Sequence, residues 1–555
     1  MQERLKFLHN PYSRAALGGL AVLILTGASL SLVRPDRRIV WVQGFAAAFY
    51  LLVIVLLVRS KGHIAGDSGD TETLPFHPVL IFLLPAMAYL PALGTYFVSD
   101  DFAHLAQGRF PLLPFIARQL SQGQMVGSGY HLFFRPLGFA SLTVDYRLFH
   151  DWAPGYHLVN LALHLAVVAA VYFLSLELGF PRKPAAMAAL LFGIAPITVE
   201  PVTYIAARFD LLAATLGIWS LVAYLRFLKG GSAGMYSLAL LLFFVGTFAK
   251  ESIYVLPLLL VWLEVMVAPT RKWKAVGGFF AVAAATFAWR WRVLHGIGGY
   301  QSTPGAPDVL QLGRKTFAAL LLRAPSETLM GYNWHQPPPW RIVAVAAATT
   351  AVLFSLLLIS RPGPHFRRLA WFALGWMVIA VVPVHFLLWN FDPALLWSRV
   401  LYIGAIGMAL LLAALLSGIA DGRPRRAAFL LLPICFLFGL WHNLSAWQAN
   451  SRITRQFLAA LPRLEPSPPP NAEFLITGMP IEVCGVRFFL IGLGPGAQLA
   501  YGRQDLWARH PYEPPLRRND PTIALRWTGR PPDFVVPTQG SPPSGLETTF
   551  SPPCR

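Results

Sequence analysis

The feature that most constrains this chain is the recurrence of apolar runs about 20 residues long, the length a helix needs to cross roughly 30 Å of hydrocarbon. They fall near 16–33, 39–58, 76–97, 154–178, 184–200, 208–228, 235–249, 252–268, 275–294, 340–360, 368–388, 396–418 and 427–444. That makes about thirteen spans, so the fold class is an α-helical polytopic membrane protein. With 55% of its 555 residues hydrophobic and 13% charged, the chain is not a water-soluble globular protein. The first run lacks a small-residue cleavage site and is soon followed by a second, and reads as a retained helix rather than a removed signal peptide.

A net charge of +19 raises the question of nucleic acid. The basic residues answer it, because they form short clusters between runs instead of one soluble face. Arg4, Lys6 and Arg14, then Arg182 and Lys183, then Arg271, Lys272 and Lys274, then Arg361, Arg367 and Arg368, then Arg423, Arg425 and Arg426 occupy alternate loops. Positive residues mark the cytoplasmic side. The sequence therefore predicts a multi-pass protein of the inner (plasma) membrane with a cytoplasmic N-terminus. Asp100, Asp101, the Glu200 loop, the Lys250-Glu251 turn, the Trp389 to Arg399 loop and the C-terminal segment fall outside. The Arg34 to Arg38 loop departs from the rule, with three arginines outside.

Four regions follow. Residues 1–60 form a transmembrane hairpin and 61–75 a polar cytoplasmic linker. Residues 76–447 form the main transmembrane module, with long external loops at 98–152 and 295–340 of the kind that carry function. Residues 448–555 form a small external domain, which the strand-like stretch from Phe474 to Tyr501 predicts to be β-rich. In the first loop, Phe110 to Ile116 and Phe133 to Phe139 are two amphipathic stretches expected to lie in the membrane interface. Val309 to Met330, carrying Arg314, Lys315, Arg323 and Glu327, reads as another interface helix, with a re-entrant helix as the alternative. The run Gly492 to Gly496 lacks a following Lys-Ser/Thr and an evident helix, and reads as a glycine turn. Cys484 and Cys554 both lie outside, where an oxidising compartment permits a disulfide, while Cys435 lies within the last span.

Ionisable groups at a membrane edge face the bundle interior or a water-filled cavity. Asp100 and Asp101, Arg135, Glu200 with Arg208 and Asp210, Lys250 with Glu251, and Arg399 all fall on one side, which suggests a shared polar cavity open outward. Acids beside bases there suit a reaction on an anionic lipid. Plainer readings stand beside this one. Arg208 and Asp210 could pair with Glu200, and Lys250-Glu251 could be a structural ion pair between spans. His157 and His164, two helical turns apart, read as buried histidines, since no third ligand stands at a recognisable spacing.

These residues carry a family resemblance. Ser99-Asp100-Asp101-Phe102, Phe134-Arg135-Pro136-Leu137, the stretch His157 to Asn160 with His164, Pro196 to Val202 leading to Arg208-Phe209-Asp210, Lys250-Glu251, and Arg399-Val400-Leu401-Tyr402 occur in an order that resembles the glycosyltransferase C (GT-C) superfamily. Within it the chain resembles the protein O-mannosyltransferase-like branch, which includes the transmembrane O-mannosyltransferases with tetratricopeptide tails. The resemblance covers residues 76 to 418. It implies a GT-C-like fold and transfer of a sugar from a polyprenyl-phosphate donor to a hydroxyl acceptor, on a protein or an envelope glycan or lipid, with inversion and with no metal or cofactor. Asp100 is then the first candidate for general base, with Asp101 orienting its neighbours and the two roles open to exchange. Arg399 is the candidate phosphate clamp, and Arg135, Arg208, Lys250, Glu200 and Tyr402 are further substrate-binding candidates.

Two departures matter. Ala195 stands where the family has a histidine before the proline, and a short tail replaces the tetratricopeptide array, which leaves the acceptor open. A polyprenyl-lipid transporter or flippase, or a scaffold of envelope assembly, are the alternatives. A transporter concentrates ionisable groups near the midplane, whereas these gather at one face.

Overall fold

A computed structural model describes residues 11–32, 38–59, 79–126, 131–268, 271–299, 313–335, 339–389, 395, 397–489, 491–513, 521–528 and 534–535. The linker 61–75, Arg4, Lys6, Arg34 and Cys554 lie outside them. The molecule is mostly helical. Helices α1 (Pro11–Leu32), α2 (Arg38–Arg59) and α3 (Leu80–Tyr89) come first. The external loop then folds as α4 (Asp101–Gly108), α5 (Leu112–Gln122), a hairpin of β1 (Gln124–Val126) and β2 (His131–Phe133), and α6 (Pro136–Phe149). The bundle continues through α7 (Ala153–Glu177), α8 (Arg182–Gly193), α9 (Val199–Thr203), α10 (Arg208–Leu228), α11 (Ala233–Gly246), α12 (Leu256–Met266) and α13 (Trp273–Leu294). It closes with α14 (Arg314–Ala318), α15 (Ala324–Met330), α16 (Pro339–Ile359), α17 (Pro364–Val381), α18 (Tyr402–Ser417) and α19 (Arg423–Leu464).

Six helical stretches are long and apolar enough to cross a membrane: 153–177, 205–228, 340–359, 364–388, 398–417 and 423–464. A seventh is the bent pair 182–193 and 196–203. The protein is a multi-pass membrane protein. The described part of each expected run is mostly helical, but the other runs form segments that do not meet that standard, so the count of thirteen is not reached among the described residues. The bend has a local cause. Ala195 precedes Pro196 and takes an extended conformation (ψ 134°), as residues before proline do, which turns the chain by 49°. Helix α18 is buried along its length from Tyr402 to Leu416, as suits a helix apolar on every face. Against α16 lies α1, where a Cβ at Gly19 would fall 2.3 Å from Ser355 Oγ.

Three expectations change. Among the described residues of the Val309 to Met330 segment it is α15 that departs from an interface helix: α14 and the wider turn over Ala319–Arg323 leave Phe317, Leu321 and Leu322 exposed, whereas α15 is wholly buried. Its charges permit this because Arg323 Nε lies 2.5 Å from Glu327 Oε1 one turn on, so the pair is buried together. The Phe133 to Phe139 stretch is likewise not an interface helix. It joins β2 to α6, and Phe133, Phe134 and Phe139 all pack inside.

The tail differs too. Helix α19 runs unbroken through 447 for 42 residues, roughly 63 Å at 1.5 Å per residue, about twice the hydrocarbon thickness. Beyond it lie β3 (Glu473–Thr477), a small hairpin of β4 (Glu482–Val483) and β5 (Val486–Arg487), α20 (Leu493–Tyr501), β6 (Trp507–Arg509), β7 (Thr522–Trp527) and β8 (Phe534–Val535). The sheet order is β6-β3-β7-β8, with β3 parallel to both neighbours and β8 antiparallel. The tail is thus a mixed α/β unit rather than a β-rich one, and the glycine run opens helix α20 instead of making a turn. Phe457 of α19, Phe474, Phe488, Phe489 and Trp527 form its core, continuous with Phe97 and Phe102 of the first external loop. Cys484 is disulfide-bonded.

Candidate active site

The Asp100-Asp101 turn separates two carboxylates that are adjacent in sequence. Asp101, 1% exposed, accepts Val98 N–H at 3.0 Å on Oδ2 and Ala206 N–H at 2.8 Å on Oδ1. It ties α4 to the turn before α10. Burial pushes its carboxyl well above the usual carboxylate range, against the two N–H groups that favour the ionised form. Asp101 was expected to share the site with Asp100 and instead spends both oxygens on backbone. Asp100 stands at the position before α4, where its side chain makes no capping bond, and is half-buried. Ser99 Oγ donates to its Oδ1 at 3.1 Å, and its own N–H donates to the Tyr204 hydroxyl at 3.3 Å.

Asp100 lines a polar cavity of about 50 Å³ together with His104, Arg135, Asp210, Lys250 and Arg399, walled by Phe133, Phe139, Tyr204 and Phe209. Each cation there has an acidic partner. Lys250 Nζ is 2.5 Å from Asp210 Oδ1. Arg135 Nε donates to Glu251 Oε2 at 2.9 Å, with a second bond from Nη2 to Oε1, a bidentate pair. Its guanidinium lies 4.1 Å from the Phe133 ring centre. Arg399 Nη1 is 2.5 Å from Glu200 Oε1. Glu200 Oε2 also accepts the Arg399 backbone N–H and Ser398 Oγ, each at 2.8 Å, so Glu200 fixes the turn that presents Arg399. Among the described residues Asp100 makes no ion pair, which leaves it the cavity carboxylate available to take a proton. Burial pushes the Lys250 ammonium down despite Asp210, and it pushes the His104 imidazole down as well.

A second cavity of about 530 Å³ adjoins these residues. Its walls are mostly apolar, from Phe280, Ala283 and Phe287 of α13 and the Pro383 to Leu387 turn, and its cationic lining is Lys250, Arg290 and Arg399. Lys250 and Arg399 line both cavities. Arg290, 4% exposed, lies 3.8 Å from Glu251 and donates to the Ile297 carbonyl at 3.0 Å.

Two candidates lie elsewhere. Arg208 is fully buried and lines neither cavity. Its Nη2 contacts Asp145 Oδ2 at 2.7 Å and donates to the Tyr156 carbonyl at 3.0 Å, Nη1 donates to Ser141 Oγ at 3.0 Å, and Nε donates to Asn160 Oδ1. Tyr402 is enclosed in the bundle, its hydroxyl 2.7 Å from His164 Nδ1. The plainer pairings also rearrange: Arg208 pairs with Asp145 rather than Glu200, and Lys250 and Glu251 each pair with another residue. His164 Nε2 bonds the Gly193 carbonyl at 2.9 Å, and His157 Nε2 bonds Thr95 Oγ1 at 2.8 Å. Sequence reasoning missed His104, Tyr204 and Arg290. His104 had a signal, standing one helical turn after Asp100 and so on its face.

No family model matches the chain. Protein O-mannosyl-transferase Tmtc1 of Drosophila melanogaster is 29% identical over 174 residues, 30% of this chain and 20% of that protein. Protein O-mannosyl-transferase TMTC4 of Homo sapiens is 25% identical over 402 residues, 60% of this chain and 54% of that protein. The chain resembles protein O-mannosyl-transferases. It spans between about a fifth and about half of the length of these relatives. Among solved structures, ArnT from Cupriavidus metallidurans bound to undecaprenyl phosphate gives a TM-score of 0.35 at 14% identity, covering 81% of this chain and 93% of that one. The Archaeoglobus fulgidus oligosaccharyltransferase gives 0.40 at 12% identity, covering 79% and 64%. Neither structural likeness is strong enough to bear on function.

Proposed function

We propose that the protein is an integral-membrane glycosyltransferase of GT-C type that moves a sugar from a polyprenyl-phosphate donor to a hydroxyl acceptor on the non-cytoplasmic side. The observation that carries this reading is the sharing of Lys250 and Arg399 by a polar and an apolar cavity. A lipid phosphate needs an apolar wall for its chain and cations for its head, and guanidinium and ammonium both suit phosphate oxygens. With the isoprenoid against Phe280 and Phe287 and the phosphate at Lys250 and Arg399, the sugar faces Asp100.

The chemistry follows from that placement. The acceptor oxygen attacks the anomeric carbon, its proton passes to the Asp100 carboxylate, and the bond from the anomeric carbon to phosphate oxygen breaks with its electron pair leaving on the phosphate. Arg399 and Lys250 stabilise that growing negative charge. Attack opposite the leaving phosphate inverts the anomeric centre. The site's position supports the outward face: α18 starts beside Arg399 and ends before the basic cluster Arg423, Arg425 and Arg426, which marks the cytoplasmic side. On this reading the N-terminus lies inside, in the plasma (inner) membrane, and the tail lies outside. The relatives' name makes mannose and a protein hydroxyl the first pair to try. Purified protein is expected to transfer mannose from polyprenyl-phosphate mannose and not from a nucleotide-linked mannose. Use of the nucleotide donor, or no transfer from the lipid donor to any hydroxyl acceptor, overturns the reading.

A further inference from the structure

The glycine run Gly492 to Gly496 lies directly against the turn that carries Asp100. A Cβ at Gly492 would fall 1.9 Å from the Ser99 carbonyl oxygen and 3.2 Å from Phe102 Cβ. The first neighbour is backbone and cannot swing aside as a side chain does, so close approach here requires glycine. The φ of Gly492 is −100°, open to alanine, so the demand is for space alone. Ser99 itself has φ +49°, a strained conformation for a residue with a side chain that persists only where the surroundings hold it. The tail supplies those surroundings. Phe489 stacks on Phe102 with ring centres 5.5 Å apart. The hairpin beside them is anchored by Asn333 Nδ2 donating to the Cys484 carbonyl at 2.8 Å and Asn450 Nδ2 donating to the Val486 carbonyl at 3.0 Å. The tail also reaches the cationic side of the site: Arg487 lies 4.1 Å from the Trp397 ring centre, and Arg399 lies 4.7 Å from the same ring.

We propose that the external tail is a working part of the active site, with Gly492 a positioning residue that seats the tail on the Ser99 carbonyl and so holds Asp100 at the cavity. The inference rests on the reading of Asp100 as the base. It accounts for a glycine run at the start of α20 that lacks the Lys-Ser/Thr of a phosphate loop. The glycines allow close packing instead.

The test uses the full chain and two readouts. One is turnover with polyprenyl-phosphate mannose alongside the Kd for that donor. The other is hydrogen exchange of the backbone amides of residues 98–104, which needs no activity. Gly492→Ala is expected to speed exchange at 98–104 and to lower kcat by roughly tenfold or more, with donor Kd within about twofold of wild type because the phosphate cations are untouched. Gly277→Ala, in α13, is the control: a Cβ there meets nothing within 4 Å, and both readouts should stay near wild type. If Gly492→Ala does not fold, Phe489→Leu loosens the same seat more gently and should move both readouts in the same direction by less. Wild-type exchange at 98–104 in whichever of these variants folds overturns the inference, with or without a loss of transfer. Wild-type kcat overturns it as well. A wild-type protein that transfers nothing sinks the functional reading alone, while the exchange comparison still decides the seat.

Discussion

Arg208 and Arg399 each stand where a helix begins at the site end of the bundle, and both are buried, yet their surroundings differ. Around Arg208 every side-chain nitrogen has a fixed protein partner, from Asp145, Tyr156, Ser141 and Asn160. Around Arg399 one carboxylate, Glu200, holds one end, and the guanidinium is flanked by the rings of Trp397 at 4.7 Å and Tyr204 at 5.6 Å. Aromatic faces attract a guanidinium electrostatically. Arg399 also lines both the polar and the apolar cavity, which Arg208 does not, so position at a cavity, more than burial, separates an arginine that serves the fold from one placed to meet a ligand.

The comparison breaks most readily at Arg208. Removing it strands Asp145 in the interior, so Arg208→Ala should destabilise the protein by about 3–5 kcal/mol, read as thermal unfolding in detergent. Pairing Arg208→Met with Asp145→Leu should recover much of that loss, since a buried ion pair is often replaceable by apolar residues. An Arg208→Ala protein of normal stability that only binds donor poorly would erase the distinction. Arg399→Ala should do the reverse. Donor Kd measured by calorimetry or fluorescence should rise by about 30- to 100-fold, or 2–3 kcal/mol, while stability falls less than for Arg208→Ala because Ser398 and a backbone N–H still bond Glu200. Arg290→Gln, in the lining of the apolar cavity, should weaken donor binding by about 5-fold, near 1 kcal/mol. The smallest effect belongs to Tyr204→Phe. It loses one 3.3 Å bond from the Asp100 N–H, and steady-state assays should show kcat down by about 2- to 5-fold at unchanged donor Kd.

These contrasts also explain which parts of the molecule were legible in sequence. Apolar runs located the long helices of the bundle because span length is imposed by the bilayer and printed residue by residue. The count of spans was not legible, since whether Leu80–Tyr89 or Ala233–Gly246 crosses depends on packing and tilt rather than on composition. Asp100, Lys250 and Arg399 were visible as costly charges at helix ends. The partition of Asp100 from Asp101 was not, because it depends on which carboxylate meets the Ala206 N–H across more than 100 residues. Arg208 stood among the further substrate-binding candidates for the same reason: the acceptors Asp145, Tyr156 and Asn160 are distant in sequence. The tail's contribution was hidden most deeply. A glycine run reads as a turn until the Ser99 carbonyl that it packs against is known.

The most direct measurement compares Asp100→Asn with Asp101→Asn, each scored for transfer from polyprenyl-phosphate mannose, donor Kd and thermal unfolding. Asp100→Asn should lower kcat by about 100-fold or more with donor Kd and unfolding temperature near wild type. Asp101→Asn should instead lower the unfolding temperature, because an amide has one acceptor oxygen for two backbone N–H groups, a cost of about 1–3 kcal/mol. Full transfer by Asp100→Asn, or loss of chemistry at normal stability in Asp101→Asn, would contradict the placement of the base at Asp100.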